Sequence, residues 1–209
     1  MNKINKSSVA EIFSDWAYSI QVKDIPHSVK KKLNIIVMDS IGLIISAKNQ
    51  PYIKSLVEAL NEKGDCSLIG HNKKVSPFNA SIINGTAVHG EDFDDTFEGT
   101  PVHVGAVMVP AMLAVAQARN LSGNEFLKGL AIGSELICRL ALVAPTAVHR
   151  QGFHPTAIFG AFGASIGISS AIGSSSNQMV SSLGIVGSMA SGIIEYLAEG
   201  TSTKRLHPG

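Results

Sequence analysis

The sequence predicts a mainly α-helical domain, and three observations carry that expectation. Apolar residues recur at helical spacing along most of the 209 residues. Proline, serine and glycine signals of helix ends fall between these runs. Strands do not alternate with helices and no fixed-period repeat is present, which excludes βαβ and repeat architectures. The apolar fraction of 45% supports a sizeable core, and the length suits one unit, so residues 1–209 are read as a single helical domain.

The elements follow in order. Residues 7–21 open with small polar residues and set Val9, Ile12, Phe13 and Trp16 on one side of a first helix. Asp24-Ile25-Pro26 reads as a cap followed by a first-turn proline, and the helix after it carries Leu33, Ile36, Val37, Ile41 and Ile44 on one stripe. A shorter helix is expected over residues 52–62. Cys66-Ser67-Leu68-Ile69-Gly70 is the only extended piece. Ser76-Pro77 restarts helix toward His89, and residues 105–119 form another apolar helix interrupted by Pro110. Ser122-Gly123-Asn124-Glu125 has the spacing of a capping box and opens a helix with Phe126, Leu130, Ile137 and Leu140 on one face. Helices rich in small residues follow over 155–172 and 177–190, and residues 193–199 lead into a closing polar turn.

Charge and cysteine usage exclude several classes. A net charge of +1 leaves no electrostatic footprint for nucleic acid or an anionic membrane, and the lysines at 30–32 and 73–74 read as solvated faces. Two cysteines, Cys66 and Cys138, are too few for a disulfide scaffold or an iron–sulfur cluster; reduced thiols and a cytoplasmic location are expected. Residues 1–10 are polar and lack the apolar core of a signal peptide. The most apolar stretch, 157–173, is shorter than the ~20 residues of a bilayer span and reads as a buried helix rather than a membrane segment.

Chemistry concentrates in one segment. Glu91, Asp92, Asp94 and Asp95 fall within five positions, bracketed by His89 and His103, in a chain of which only 16% is charged. Carboxylates gathered in such a chain are costly unless partnered or used. Were residues 76–92 one helix, His89 and Asp92 would share a face, and the turn at Gly99-Thr100-Pro101 would return His103 to the group. His103 and His154 each precede a helix start and His207 precedes Pro208; the positive end of a helix keeps an imidazole neutral and attracts carboxylates. With Lys204 and Arg205 as cations, the set suggests a site for a small anion. Asp94-Asp95-Thr96-Phe97-Glu98 also imitates the acidic motif of magnesium-dependent isoprenoid synthases, although the second acidic motif expected on a facing helix is missing.

The motifs together are specific. Asn84-Gly85 through His89, Asp92-Phe93-Asp94-Asp95-Thr96, His103, Gly152-Phe153-His154-Pro155-Thr156 and Thr203-Lys204-Arg205-Leu206-His207-Pro208-Gly209 make the chain resemble the MmgE/PrpD family over nearly its whole length. That family includes 2-methylcitrate dehydratase, cis-aconitate decarboxylase and iminodisuccinate epimerase. The resemblance implies a large all-α domain followed by a smaller α/β lid, in a homodimer. Family chains run to about twice this length, so the sequence is expected to correspond to the N-terminal part, ending before the lid.

The resemblance also implies roles. Asp92, His103, His154 and Lys204 match positions expected to be catalytic; Thr96, Arg205 and His89 are expected to bind substrate. His103 and His154 would exchange protons, Lys204 with Arg205 would hold a carboxylate, and Asp92 would orient a histidine. Val104 stands where many members have proline after the histidine. The implied reaction is a cofactor-free, metal-free elimination, decarboxylation or epimerisation of a small di- or tricarboxylate, with a proton moved beside a carboxylate. Asp94, Asp95 and Glu98 are expected to turn away from the anionic substrate. The competing expectations are an inactive interaction or oligomerisation module and the isoprenoid enzyme.

Overall fold

The computed structural model describes residues 7–209, so the first six residues of the polar start lie outside it. Among the described residues the chain folds into ten α-helices and one two-stranded antiparallel sheet, confirming the all-α class. Helix α1 (Val9–Ser19) is closed by a capping box between Ser8 and Glu11. Its buried face is Phe13, Trp16, Ala17 and Ile20, which pack against Ile132, Leu136 and Ile166. Val9 and Ile12, expected on that face, are 75% and 60% exposed, because the helix turns its Ser14–Ala17 side inward.

Helix α2 (His27–Ala47) begins one residue later than expected. Pro26 occupies the cap position, and Asp24 instead accepts from the Gln21 backbone N–H in a short 3-10 turn. Its inner face holds Leu33, Ser40, Ile44 and Ala47. Helix α3 (Pro51–Ala59) leads into β1 (Lys63–Ser67), which pairs with β2 (Lys74–Val75). The second strand escapes sequence reading because two residues show no periodicity.

Helix α4 (Pro77–His89) starts as expected, with Ser76 capping the Asn79 N–H and Pro77 in the first turn. Helix α5 (Val104–Arg119) and α8 (Pro155–Ala171) are buried on nearly all sides. They are wrapped by α4 and by α6 (Gly123–Val143), with α9 (Ser176–Met189) on the far side of α8. The Ser122–Glu125 capping box opens α6. Short helices α7 (Ala147–Arg150) and α10 (Tyr196–Glu199) precede α8 and the terminal 3-10 turn Thr203–Leu206. No helix of the described chain is long and apolar enough to cross a membrane, and Cys66 and Cys138 are unpaired.

The α6–α8 contact explains the small residues. A methyl group built on Gly133 would lie 2.5 Å from the Gly163 carbonyl oxygen, and one on Gly163 would lie 2.8 Å from the Gly133 carbonyl. The two backbones therefore touch, and α8 can sit deep enough to deliver its N-terminal His154 to the middle of the molecule.

Gly163→Val should cost on the order of 3 kcal/mol in chemical denaturation, because side-chain atoms would have to displace backbone. Gly184, on the open side of α9, would meet nothing within 4 Å, so Gly184→Ala should raise stability by about 0.5–1 kcal/mol through helix propensity. Equal effects from the two substitutions would rule out this packing account.

Candidate active site

Five chain segments converge at one end of α4, α5 and α8. The C-terminus of α4 supplies His89. The turn that follows supplies Asp92 and Asp94, the N-caps of α5 and α8 supply His103 and His154, and the terminal 3-10 turn supplies Lys204. The turn is sharp because α4 ends at His89, Gly90 caps it, and Asp92 takes a left-handed backbone conformation with φ of 61°. A non-glycine residue held there is under modest strain, tolerated best by Asp and Asn. The expectation of a continuous helix to Asp92 is thus corrected. His89 and Asp92 come together through a reversal and not through a shared helical face.

That reversal changes which acid meets the histidines. Asp94, expected to turn away, is buried and points inward. Its Oδ2 lies 2.8 Å from His89 Nδ1 and 3.3 Å from His103 Nδ1. Burial pushes the Asp94 carboxyl upward, but the bonds and charges of His103 and His89 outweigh it and hold the group well below the usual carboxylate range. An ionised carboxylate only accepts, so both Nδ1 atoms carry protons directed at it. Asp95 follows the expectation, accepting from the Gly105 backbone N–H at 2.8 Å and tying the turn to the start of α5. Glu98 is exposed. The acids of the Asp94-Asp95-Thr96-Phe97-Glu98 motif are thus used differently: Asp94 on imidazoles, Asp95 on backbone and Glu98 facing solvent.

Asp92 lies on the outer side of His103, with its Oδ1 4.0 Å from Nε2, and is ion-paired to Lys204 Nζ. Thr96 Oγ1 reaches His103 Nδ1 at 3.5 Å. The ring of His89 lies 4.7 Å from that of His103 and stacks on His154 at 5.6 Å. His103 and His154 thus both lie against the His89 ring, while Lys204 joins the group through Asp92. Arg205 sits beside them but is engaged in structure: Nε donates to the Gly90 carbonyl at 2.8 Å and the guanidinium covers the Tyr52 ring at 4.5 Å. Tyr52 in turn donates to Glu91 at 2.7 Å, and Glu91 lines the cleft.

Two residues join the site that sequence reading did not place there. His207 Nδ1 is 3.0 Å from His154 Nδ1, so one ring donates and the other accepts. Tyr196 packs edge-on against both rings. The order His207-Pro208 was the only signal for the first, and nothing in the sequence marks Tyr196. An open cleft of ≈ 440 Å³ is lined by His89, Asp92, Tyr196, Lys204 and Arg205 among others. His103 and His154 are not among its lining residues and meet it through the His89 ring.

The two N-cap histidines are driven apart. Burial opposes charge on His103, but Asp94 more than compensates and raises the imidazole above its ordinary value. Burial, reinforced by the charges of His89 and His207, lowers His154 to about 2. His207 is lowered as well, by burial first. Ligand atoms of His89, Asp92, Asp94 and His103 lie within 4.8 Å of one another, so the group could also gather round a cation; its shortest contacts, however, are the proton-mediated ones to Asp94.

The MmgE/PrpD N-terminal domain profile matches residues 11–209. The chain belongs to the MmgE/PrpD family. Its relatives include a cis-aconitate decarboxylase-like protein, oryM, of Aspergillus oryzae, 26% identical over 97% of this chain and 44% of that protein. The cis-aconitate decarboxylase of Aspergillus terreus is 24% identical over 98% of this chain and 43% of its own length. That of Homo sapiens is 27% identical over 97% and 43%. The chain thus spans less than half the length of the curated relatives it matches.

Stability should peak just above pH 6.5. A raised His103 stabilises the fold fully below the unfolded value of 6.5, and that contribution is lost as pH rises through its folded value. His154 acts oppositely: unfolding lets it take a proton, so below 6.5 stability falls by up to about 1.4 kcal/mol per pH unit. Urea titrations between pH 5 and pH 8.5 check this. His154→Asn should flatten the acid limb, and an unchanged acid limb would remove His154 as its cause.

Proposed function

We propose that this domain supplies the acid–base half of a cofactor-free lyase or isomerase acting on a small di- or tricarboxylate, with cis-aconitate-type decarboxylation as the leading reaction. The observation that carries the reading is the splitting of His103 and His154. One imidazole is primed to hold a proton and the other to stay neutral, the arrangement expected where one site must deliver a proton and hydrogen-bond an anion without repelling it. Family membership and the decarboxylase relatives supply the substrate class.

The roles we assign are these, and the contacts described above support them. Lys204 binds a substrate carboxylate, which must take the place of Asp92 on the ammonium or share it. In decarboxylation the bond from carbon to the leaving carboxylate breaks, and its electron pair stays on that carbon, delocalised into a neighbouring carboxylate. The His103 imidazolium then delivers its Nε2 proton to the carbon and becomes neutral, with Nδ1–H still held by Asp94. The same group, starting neutral, removes a proton in dehydration or epimerisation. His154 is too weakly basic for that task and serves as a neutral hydrogen-bonding partner fixed by His207. Asp92 regulates access to Lys204, Thr96 steadies His103, and Arg205 positions the lysine turn from behind. The apparent excess of acid is thereby resolved. Of the four carboxylates, Asp94 is spent on imidazoles, Asp95 on backbone, Glu91 on tyrosine and Asp92 on lysine.

The test is the complete protein incubated in D₂O with cis-aconitate, 2-methylcitrate and related acids, read by NMR for loss of CO₂ or water and for deuterium at carbon. His103→Asn should lower kcat by about 10²–10⁴-fold. Lys204→Ala should act mainly on KM. Full turnover in His103→Asn, or no reaction and no exchange with any acid of the panel, would overturn the assignment.

A further inference from the structure

Tyr196 combines a fixed ring with an unused hydroxyl. Two backbone bonds tie the segment before α10 to the chain entering α8: Ile194 N–H to the Gly152 carbonyl at 2.9 Å, and His154 N–H to the Gly192 carbonyl at 2.8 Å. Gly200 ends α10 in a left-handed conformation, φ 65°, with its N–H on the Tyr196 carbonyl. The ring lies edge-on to His154 at 5.8 Å and to His207 at 5.6 Å, and the residue is 8% exposed. A tyrosine buried this far normally brings its hydroxyl to a partner. Among the described residues no hydrogen bond holds this one. Its oxygen is not one of the sealed, unpartnered atoms either, so it keeps access to the cleft that Tyr196 lines.

The other polar side chains of the cleft are already engaged. His89 directs its Nδ1 proton to Asp94, and Glu91 accepts from Tyr52. The Thr201 hydroxyl meets that of Thr203 at 3.1 Å, and Ser202 accepts from Arg205. Arg205 is held by the Gly90 carbonyl and the Tyr52 ring. Lys204, paired with Asp92, can exchange that partner for a bound anion, and the phenol of Tyr196 is the donor left free beside it.

We propose that Tyr196 is a substrate-binding residue, its hydroxyl donating to a second carboxylate of the bound acid while Lys204 holds the first. This rests on the reading of the site as one for a small di- or tricarboxylate. Burial, with the Asp92 charge adding to it, raises the phenol above its ordinary value, so the group stays a donor at neutral pH. Selectivity follows. Tyr196 and Lys204 border one cleft from α10 and from the terminal turn, so an acid with two carboxylates engages both and a monocarboxylate only one. The ring that carries the hydroxyl also packs on His154 and His207, which sets the second carboxylate against the neutral imidazole pair.

Isothermal titration of the protein with propane-1,2,3-tricarboxylate tests this without turnover, since that acid has three carboxylates and neither a double bond nor a hydroxyl to react. Tyr196→Phe keeps the ring and should raise Kd about tenfold, the scale of a hydrogen bond to a charged group. The thermal midpoint of the unbound protein should be kept, because the hydroxyl holds nothing there. With a substrate that is turned over, the same variant should raise KM and leave kcat nearly unchanged. Tyrosine labelled with ¹³C at the ring Cζ gives a second reading in the native protein. The chain has three tyrosines; the Tyr196 signal should shift on saturation with the tricarboxylate, and that of the exposed Tyr18 should not. Equal Kd values for the native protein and Tyr196→Phe, or a Tyr196 signal that stays in place on saturation, would overturn this assignment and leave the His103 chemistry standing, which His103→Asn tests separately. No binding of the tricarboxylate by the native protein would overturn it as well.

Discussion

The site is organised by one buried carboxylate. Asp94 has almost no solvent exposure, and removing its charge from water costs several kcal/mol unless partners replace the lost hydration. His89 and His103 are those partners, and both present Nδ1–H to the same oxygen. That constraint fixes the tautomer of each ring, sets the angle of the turn after α4, and fixes the approach of α5, whose N-cap is His103 itself. The His89 ring then becomes the floor on which His154 stacks, so the α8 N-terminus is placed relative to α5 through an imidazole stack and the Thr156 hydroxyl, which accepts from the His103 N–H at 3.1 Å. Loss of Asp94 would leave two buried imidazoles without an anion.

Much of this was legible in the sequence wherever a local signal decides. The starts at Ser76 and Ser122 mark two helix beginnings correctly, because a serine side chain bonding the third residue onward is a property of the segment alone. His103 and His154 both lie against the His89 ring, and Lys204 reaches the group through Asp92. The assignment of acids failed. Charge repulsion with an anionic substrate was expected to send Asp94 away, but the left-handed residue at 92 turns the chain so that Asp94 meets His89 and His103. Such a reversal depends on tertiary pairing with Lys204 and the histidines, and sequence spacing cannot show it. The stacking of Arg205 on Tyr52 was invisible for a related reason: Tyr52 lies on α3, far away in sequence.

The separation of tasks among nearby ionisable groups follows from where each is anchored. Residues on the buried layer, His154 and Asp94, have their protonation settled by burial and direct hydrogen bonds. Residues at the cleft, Asp92 and Lys204, are paired but accessible, so a bound anion can rearrange them. His103 sits at the boundary, partly exposed, with a buried acid behind it and an exposed one in front. A proton carrier needs that position, since it must be recharged from solvent and yet be aimed from within.

The most direct measurement is the titration of His103 followed by its ring-nitrogen or ring-carbon NMR signals, in the native chain and in Asp94→Asn. The expected result is a midpoint above 6.5 with Nδ1 protonated throughout, falling below 6.5 when Asp94 loses its charge. A native midpoint below 6.5, or one that does not move in Asp94→Asn, would contradict the central role given to that carboxylate.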